Sequence, residues 1–132
     1  MPPSLLQIGE LAERAAVSHR TIHYYERIGL LRPAEREGMG YRYYDEQAVQ
    51  RLKKIAVLKG LGLSLDEIAQ VIDLYFEDAS GIKGKEKVLK ILEAQLLATR
   101  SKLAELNSFE RELKANIARM KMLIEEARSK HQ

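Results

Sequence analysis

The sequence predicts a mainly α-helical protein, in which a head of short helices with a two-stranded wing precedes one long coiled-coil helix. Between residues 8 and 76, short amphipathic stretches are separated by residues that cap or break helices. From Lys85 to Arg128, an apolar heptad pattern continues without Pro or Gly. These patterns divide the chain into a head, a hinge, a coiled-coil helix and a tail, at residues 1–76, 77–84, 85–128 and 129–132.

The composition of this 132-residue chain excludes several classes of protein. It contains no cysteine, which excludes disulfides, thiolate metal sites and a thiol redox switch. No apolar segment reaches transmembrane length and the first residues lack the pattern of a secretion signal, so we expect a soluble, cytoplasmic protein. The net charge of +3 is only weak evidence for a nucleic-acid partner.

Apolar spacing and capping residues predict the first two helices. The first begins at Ile8, and its apolar face comprises Ile8, Leu11, Ala12, Ala15 and Ala16. Ser18 is a good N-cap for a second helix from about His19 to Ile28, because its hydroxyl can accept a hydrogen bond from a free backbone N–H. We expect Gly29 to end this helix, whose inward face is Ile22, Tyr25 and Ile28.

A wing and two further helices complete the predicted head. Residues 37–40 have the composition of a turn and residues 41–44 favour a strand, so residues 34–44 should form a hairpin. Asp45 then caps a third helix, at about 46–59. Ser64 and Glu67 form a capping box for a fourth helix, whose apolar face is Ile68, Val71, Ile72 and Tyr75. The polar, glycine-containing residues 77–84 are predicted to separate it from the long helix.

The long helix carries one apolar seam, at positions spaced alternately by three and four residues, with Thr99 and Glu110 as polar exceptions. A helix of this length, on the order of 65 Å, cannot cover its seam by folding back on the head. The same helix of a second copy would cover it, which predicts a homodimer joined by a two-stranded coiled coil. The seam leaves open whether the strands are parallel or antiparallel. The predicted dimerisation residues are Leu89, Leu92, Leu96, Leu103, Leu106, Leu113, Ile117, Met120 and Ile124.

Aromatic and basic side chains are interleaved on the second helix and the wing, which suits a surface that grips phosphates and contacts base edges. This predicts a winged helix-turn-helix whose second helix enters the major groove by its first residues. Arg20 could pair with guanine, or could be a surface residue paired with Glu26. Tyr25 aligns with the inward face, so Tyr24 should point outward toward a phosphate. The candidate DNA-binding residues are Ser18, His19, Arg20, Thr21, His23, Tyr24, Arg27, Tyr41, Arg42, Tyr43 and Lys59.

The wing and the third helix supply candidates that also have structural alternatives. In a strand, Arg42 and Tyr44 would point to one side, and Tyr41 and Tyr43 to the other. Arg42 could contact phosphate or the minor groove, or the wing could merely pack its tyrosines against the second helix. Lys59 could bind a phosphate, or could only complement the C-terminal end of its helix.

The sequence gives no support to an enzyme. It has no Gly-rich phosphate loop, no nucleophile elbow and no recognisable pair of catalytic carboxylates. His19 and His23 are four residues apart on a helix, a spacing that can bind metal, but neither a cysteine nor an HExxH pattern completes a site. We therefore predict no metal site and no cofactor.

Residues 8–75 resemble the DNA-binding region of the MerR family of bacterial transcription regulators. The matching segments follow the family order, with IGELA at 8–12, TIHYYERIGLL at 21–31, GYRYY at 40–44 and LGLSLDEI at 61–68. The long helix also resembles the dimerisation helix of this family, which implies an antiparallel coiled coil. By position, the family's DNA contacts fall on Ser18, Arg20, Tyr24, Arg42 and Lys59. The family usually has Arg where this chain has His23, which could be a donor to phosphate or an exposed residue with no role.

The resemblance implies a dimer that binds an inverted repeat in the overlong spacer of a promoter and holds RNA polymerase there. It would distort the double-stranded DNA to align the promoter elements. This chain has neither the cysteines of metal-sensing members nor the large effector domain of drug-sensing members, which leaves a small-molecule effector, a protein partner or no effector. Tyr75 and Phe76 are the candidate effector contacts, and the alternative is that residues 77–84 beside them are only a hinge.

The competing hypothesis is a coiled-coil adaptor protein whose head binds a partner protein. Salt distinguishes the two hypotheses. DNA binding should weaken steeply as salt rises, because bound phosphates release counterions. Binding through an apolar seam should not weaken in this way.

Overall fold

The computed structural model describes residues 5–32, 35–37 and 41–131, and gives only the backbone of 35–37, 41 and 42. The fold is mainly α-helical with a two-stranded wing and a long final helix, which confirms the predicted fold class. The turn predicted at residues 37–40 lies largely outside the described residues. The elements are α1 (Ile8–Ala15), α2 (His19–Arg27), β1 (Glu35–Glu37), β2 (Tyr41–Tyr43), α3 (Glu46–Gly60), α4 (Leu65–Val71), a 3₁₀ helix (Ile72–Phe76) and α5 (Ile82–Lys130).

The predicted helix caps are present. Ser18 accepts a hydrogen bond from the Thr21 N–H at 3.0 Å, and Asp45 accepts one from Ala48 at 3.0 Å. Ser64 and Glu67 form the full capping box, with bonds of 2.9 and 3.1 Å in the two directions. These caps satisfy backbone donors that a helix leaves free at its N-terminus, so the helix starts follow from local chemistry.

The ends of α1 and α2 differ from the prediction. Ala16 is exposed and has a left-handed backbone (φ 56°), because α1 ends at Ala15 and the chain turns there. Ile28 is 42% exposed, because α2 ends at Arg27 and Ile28 already belongs to the turn. Gly29 follows with φ +83°, which glycine adopts without steric cost. The inward placement of both Ala16 and Ile28 was therefore wrong.

The head has one apolar core, formed where α1 packs on α2 and α3, and α3 packs on α4 and the 3₁₀ helix. Ile22 and Tyr25 are buried on α2 as predicted. Leu30 and Leu31, just after the α2 turn, are buried where Ile28 was expected. The largest fully buried side chains are Leu11, Ile22, Leu30, Leu31, Leu52, Ile55, Leu58, Ile68 and Ile72.

The wing is joined to the N-terminal segment and to α2. β1 and β2 pair antiparallel with Arg36 opposite Arg42. Directly after β2, Leu6 and Tyr44 exchange two backbone hydrogen bonds of 2.7 Å. The Tyr44 hydroxyl donates to Glu26 on α2 at 2.6 Å. The base of the wing is therefore fixed to the N-terminal segment and to α2.

The segment before α5 is shorter than predicted, because α5 begins at Ile82 and includes Gly84. Tyr75 explains why a glycine is needed in this first turn. A Cβ on Gly84 would lie 2.5 Å from Cδ2 of the Tyr75 ring. Asp78 accepts hydrogen bonds from the Ser80 N–H, the Ser80 hydroxyl and the Gly81 N–H, at 2.9, 2.6 and 3.0 Å. The prediction that Ile82 to Gly84 break the helix was wrong.

Contacts divide the chain into two compact units, residues 1–88 and 89–132. The first two turns of α5, including buried Gly84 and Val88, belong to the first unit. In the second unit the described residues form one uninterrupted helix, and its large apolar side chains are exposed or half-buried. No helix in the described part of the chain is long and apolar enough to cross a lipid bilayer.

Candidate nucleic-acid interface

α2 has one buried and one exposed face. Ile22 is fully buried and Tyr25 is 4% exposed, whereas Tyr24 is 42% exposed. This confirms the prediction that Tyr25 faces the core and Tyr24 faces outward. At about 100° per residue, the exposed side chains form one continuous strip. The strip is His19, Arg20, His23, Tyr24 and Arg27, and we refer to it as the α2 strip.

Ser18 and Thr21, two of the predicted DNA-binding residues, form the N-terminal cap of α2. The Ser18 hydroxyl donates to the Thr21 hydroxyl at 2.9 Å and also accepts from the Thr21 N–H. Ser18 is exposed and Thr21 is half-buried. Both residues therefore have a structural role in the cap, and a DNA contact by Ser18 would use the remaining capacity of its hydroxyl.

Among the described residues, the two arginines of the strip make no ion pair with an acid. Among the described residues, Arg20 makes no hydrogen bond or ion pair, and the alternative that it pairs with Glu26 is not observed. Glu26 instead accepts from the Tyr44 hydroxyl, and its carboxylate lies 3.9 Å from Nδ1 of His23. Arg27 places its guanidinium carbon 5.7 Å from the centre of the Tyr24 ring, a distance compatible with a cation–π contact. Arg20 and Arg27 thus present their charge at the surface.

Lys59 comes close to α2. Its Nζ lies 3.5 Å from the Tyr25 hydroxyl, although α3 and α2 are far apart in the sequence. Tyr25 is therefore both a core residue and the polar neighbour of Lys59, which the sequence did not indicate. The wing candidates are less defined. Tyr43 is half-buried, and the side chains of Tyr41 and Arg42 lie outside what the structure describes.

Three sets of long-range contacts join the elements of the head, and none of them was predicted from the sequence. Arg14 on α1 makes two hydrogen bonds with Glu46 on α3, of 2.6 and 2.7 Å. Arg51 on α3 donates through Nε to the Leu30 carbonyl at 2.5 Å and through Nη1 to Asp73 at 2.8 Å. The third contact is the Tyr44 to Glu26 bond at the base of the wing. Each joins residues distant in sequence, so spacing along the chain gives no signal for it.

Hydrogen bonds and burial shift the pKa values of several groups in the head. The hydrogen bonds from Arg14 lower the pKa of the Glu46 carboxyl, and the same contact raises the pKa of Arg14. The hydrogen bonds from Ser80 and Gly81 lower the pKa of Asp78. Burial raises the pKa of the Tyr75 hydroxyl. The carboxylates are therefore held in their charged form by specific donors.

The two predicted effector contacts, Tyr75 and Phe76, have different surroundings. Tyr75 packs on Gly84, and Nζ of Lys54 lies 4.6 Å from the centre of its ring. Phe76 instead lines an open cleft of about 810 Å³. Polar residues line much of this cleft, including Glu26, Arg51 and Asp73. The geometry gives Tyr75 a packing role against Gly84, and Tyr75 does not line the cleft beside Phe76.

Two family models match the chain. "MerR HTH family regulatory protein" matches residues 6–74, and "MerR, DNA binding" matches residues 49–116. The HTH-type transcriptional regulator HmrR of Rhizobium leguminosarum bv. viciae is 39% identical over 82% of this chain and 81% of its own length. Two nodulation proteins from Bradyrhizobium are 48% and 46% identical over 67 residues, and this chain spans only 31% and 28% of their length.

Solved structures agree with the sequence matches. A transcription regulator from Ralstonia metallidurans CH34, in complex with lead(II), aligns with a TM-score of 0.63 and 34% identity, covering 82% of this chain and 81% of its own. A MerR family regulator lacking the sensor domain, bound to promoter DNA, aligns with a TM-score of 0.54 and 25% identity, covering 80% and 78%. This chain therefore belongs to the MerR family of helix-turn-helix DNA-binding transcription regulators.

Proposed function

We propose that this protein acts as a dimer on an inverted repeat in a promoter spacer and regulates transcription by distorting that DNA. The α2 strip is the observation that carries the proposal. It places aromatic and basic side chains on the exposed side of a capped helix whose other side is locked in the core. Such a rigid, cationic face suits the major groove. The structural relative bound to promoter DNA supports the same use of the fold.

Each candidate has a specific role in this proposal. Arg20, near the start of α2 and without an acidic partner among the described residues, contacts a base edge, and a guanine offers it two acceptors. Tyr24 and Arg27 contact the backbone phosphates. Lys59 adds a phosphate contact from the end of α3. Arg42 does the same from the wing, on the strength of its place in β2. Phosphate contacts fix the register, and Arg20 supplies sequence preference.

The exposed seam on α5 provides the dimer. A dimer presents two α2 strips related by a two-fold axis, which matches an inverted repeat. Bending or untwisting the DNA between the half-sites costs several kcal/mol, on the order of 1–6, and contacts at both ends must offset it. RNA polymerase at the same promoter is the partner on which the distortion acts.

The effector is a non-metal ligand or is absent. The structural relative from Ralstonia metallidurans is in complex with lead(II), but this chain has no cysteine to offer a soft metal. Among the described residues, no group of three His, Asp or Glu side chains converges as a metal site would need. A soft metal ion acting as the effector would therefore find no thiolate ligand in this chain.

The test is selection of bound fragments from a genomic DNA library by the purified protein, repeated at several salt concentrations. We expect enrichment of one inverted repeat, with affinity that falls steeply as salt rises. Arg20→Ala should lose the preference for that repeat. If the Arg20→Ala protein enriches the same repeat as strongly as the unaltered protein, α2 is not the recognition helix. If the unaltered protein enriches no DNA even at low salt, the adaptor alternative is favoured.

A further inference from the structure

We propose that His23 makes a pH-dependent contact with DNA, in which the protonated imidazole lies between the Glu26 carboxylate and a backbone phosphate. This inference rests on the proposed function and adds a condition that regulates the same interface. His23 lies at the centre of the α2 strip, and 51% of its side chain is exposed. Arg20 and Arg27 lie three residues before it and four after it, which places all three side chains on one face of α2. A DNA strand that contacts both arginines therefore passes close to His23.

The two ring nitrogens of His23 have different surroundings. Nδ1 lies 3.9 Å from Oε1 of Glu26, one helical turn away. With Nδ1 turned toward this carboxylate, Nε2 on the other side of the exposed ring is the nitrogen available to a phosphate. A neutral imidazole has one N–H donor, whereas an imidazolium has two. The ring can therefore donate toward Glu26 and toward a phosphate together only when it is protonated.

Glu26 is a fixed neighbour for this ring. Its side chain is 8% exposed, and the oxygen that faces His23 also accepts a hydrogen bond of 2.6 Å from the Tyr44 hydroxyl. Tyr44 is itself buried, and its backbone is joined to Leu6 by two hydrogen bonds. The carboxylate is therefore positioned from α2 and from the wing base, and the exposed imidazole beside it is the part that responds to DNA and to pH.

His23 is the proton-sensitive group at this surface. Imidazole is the side chain that ordinarily changes its charge between about pH 5 and 8. The chain has three histidines, of which His131 lies in the tail and His19 lies one turn before His23 on α2. Within the described part of the chain, Glu26 lies within ion-pair distance of His23, and no acid lies within that distance of His19.

The elements around α2 do not add a second group that titrates in this range. α1, the wing strands and α3 carry carboxylates, tyrosines, lysines and arginines, but no histidine or cysteine. Tyr44 contacts Glu26, Nζ of Lys59 lies 3.5 Å from the Tyr25 hydroxyl, and Arg14 is paired with an acid on α3. These types of side chain ordinarily keep one charge state between about pH 6 and 8. We therefore expect pH to act on this interface through an imidazole.

DNA binding and protonation of His23 strengthen each other. A phosphate beside Nε2 stabilises the charged ring, so formation of the complex takes up a proton at each head. The affinity for DNA therefore rises as the pH falls through the range in which the ring titrates. Each protonated His23 also neutralises one more phosphate and releases its counterions. For a dimer, the slope of log affinity against log salt should be steeper by about two at about pH 6 than at about pH 8.

The test measures the dissociation constant of the full-length protein on its selected duplex between about pH 6 and about pH 8. For the unaltered protein we expect the constant to rise roughly tenfold over this range, from the two phosphate contacts of a dimer. His23→Gln should remove this dependence and bind at the acid end as weakly as the unaltered protein does at the alkaline end. His23→Arg should bind tightly throughout, because the charge of a guanidinium is permanent.

Substitution of the other two histidines provides the controls. His131→Gln should reproduce the unaltered protein at each pH, and His19→Gln should keep the pH dependence whatever its affinity. A dependence that persists in His23→Gln, or that disappears in His19→Gln, would overturn the proposal, as would an unaltered protein that binds equally at both ends of the range. An unaltered protein that binds no DNA at the acid end and low salt would instead contradict the proposed function itself.

Nitrogen-15 NMR of the histidine rings reports the proton itself. In the complex at neutral pH, both ring nitrogens of His23 should carry protons, whereas His131 should titrate alike in the free and the bound protein. Because His23 is exposed, His23→Gln should unfold at the same temperature as the unaltered protein, which separates a lost contact from lost folding. A His23 ring that titrates alike with and without DNA would overturn the proposal.

Discussion

The head and the second unit of α5 differ in how they cover their apolar side chains. In the head, the side chains of Leu52, Ile55 and Leu58 on α3 are each only 1% exposed. In α5, Leu96, Leu103 and Ile117 are about half exposed although they repeat as regularly. The head therefore completes its core within one chain, whereas α5 leaves its apolar surface for another chain. The difference separates the source of folding stability from the source of assembly.

The polar contacts divide in the same way. Two ion pairs in the head, Arg14 with Glu46 and Arg51 with Asp73, join residues far apart in sequence. Among the described residues of the second unit, Lys114 forms an ion pair with Glu110, one turn away on the same helix. The head thus defines its tertiary arrangement by itself, and α5 defines only a helix and a surface.

The largest expected effect is the loss of a core side chain from the head. Leu52→Ala should lower the free energy of unfolding by about 2–5 kcal/mol, because it removes fully buried methyl groups and leaves a cavity. Val57→Ala on the same helix is the control, since Val57 is 56% exposed and its truncation should cost less than about 0.5 kcal/mol. Urea denaturation measures both. Similar losses would contradict the assignment of the core.

Loss of the Arg20 side chain should act on binding and leave folding unchanged. Arg20→Ala should weaken binding to the selected DNA by about 1–3 kcal/mol and relax the preference at one base pair. Lys59→Ala should weaken binding to all sequences alike and reduce the salt slope by about one. Titration against matched and mismatched duplexes separates these outcomes. A uniform loss with Arg20→Ala would reassign Arg20 to the phosphate backbone.

Substitution of Gly84 tests the junction where α5 leaves the head. Gly84→Ala should destabilise by about 1–3 kcal/mol, because its Cβ would displace the Tyr75 ring. Gly9→Ala in α1 is the matched control, where a Cβ meets nothing within 4 Å and the substitution should stabilise by about 0.5–1 kcal/mol. Thermal unfolding of both variants is the measurement. Stabilisation by both would mean that Tyr75 does not pack on α5.

The smallest expected effect is a loss of stability in acid. The pKa values of Glu46 and Asp78 are lowered in the folded chain, from ordinary values of 4.5 and 3.8. Their contribution to the free energy of unfolding is therefore complete above these ordinary pKa values. It disappears as the pH falls through the lower pKa values of the folded protein. Asp78→Asn should remove part of this dependence. Unfolding measured between neutral pH and about pH 3 tests the sign, and a stability that rises toward acid would contradict it.

The sequence predicted the features that depend on local chemistry. The caps at Ser18, Asp45 and Ser64 were found because a side-chain oxygen and a nearby N–H are enough to form them. The burial of Ile28 was predicted wrongly, since periodicity continues one residue beyond the point where the helix ends. The glycine at position 84 was taken for a helix break, because its neighbour Tyr75 lies close only in the folded chain.

Long-range polar contacts were beyond what spacing could predict. Arg51 on α3 donates to the Leu30 carbonyl, just after α2, and to Asp73 in the 3₁₀ helix. These three parts of the chain come together only in the folded protein. The candidate site was predicted better than these contacts, because the α2 strip lies on one short helix. The exposure of Tyr24 and the burial of Tyr25 followed from helix geometry alone. The DNA contacts assigned to this strip remain predictions.

The most direct test of the account is a hydroxyl-radical footprint of the full-length protein on its selected DNA. A dimer that uses two α2 strips should protect two half-sites symmetrically, with the centres of protection about one or two helical turns apart. Leu103→Lys, which puts two unpaired charges into the seam, should abolish that pattern, while Ser101→Lys on the outer face should preserve it. Protection of a single half-site by the unaltered protein would contradict the central claim that the head binds DNA and α5 pairs the heads.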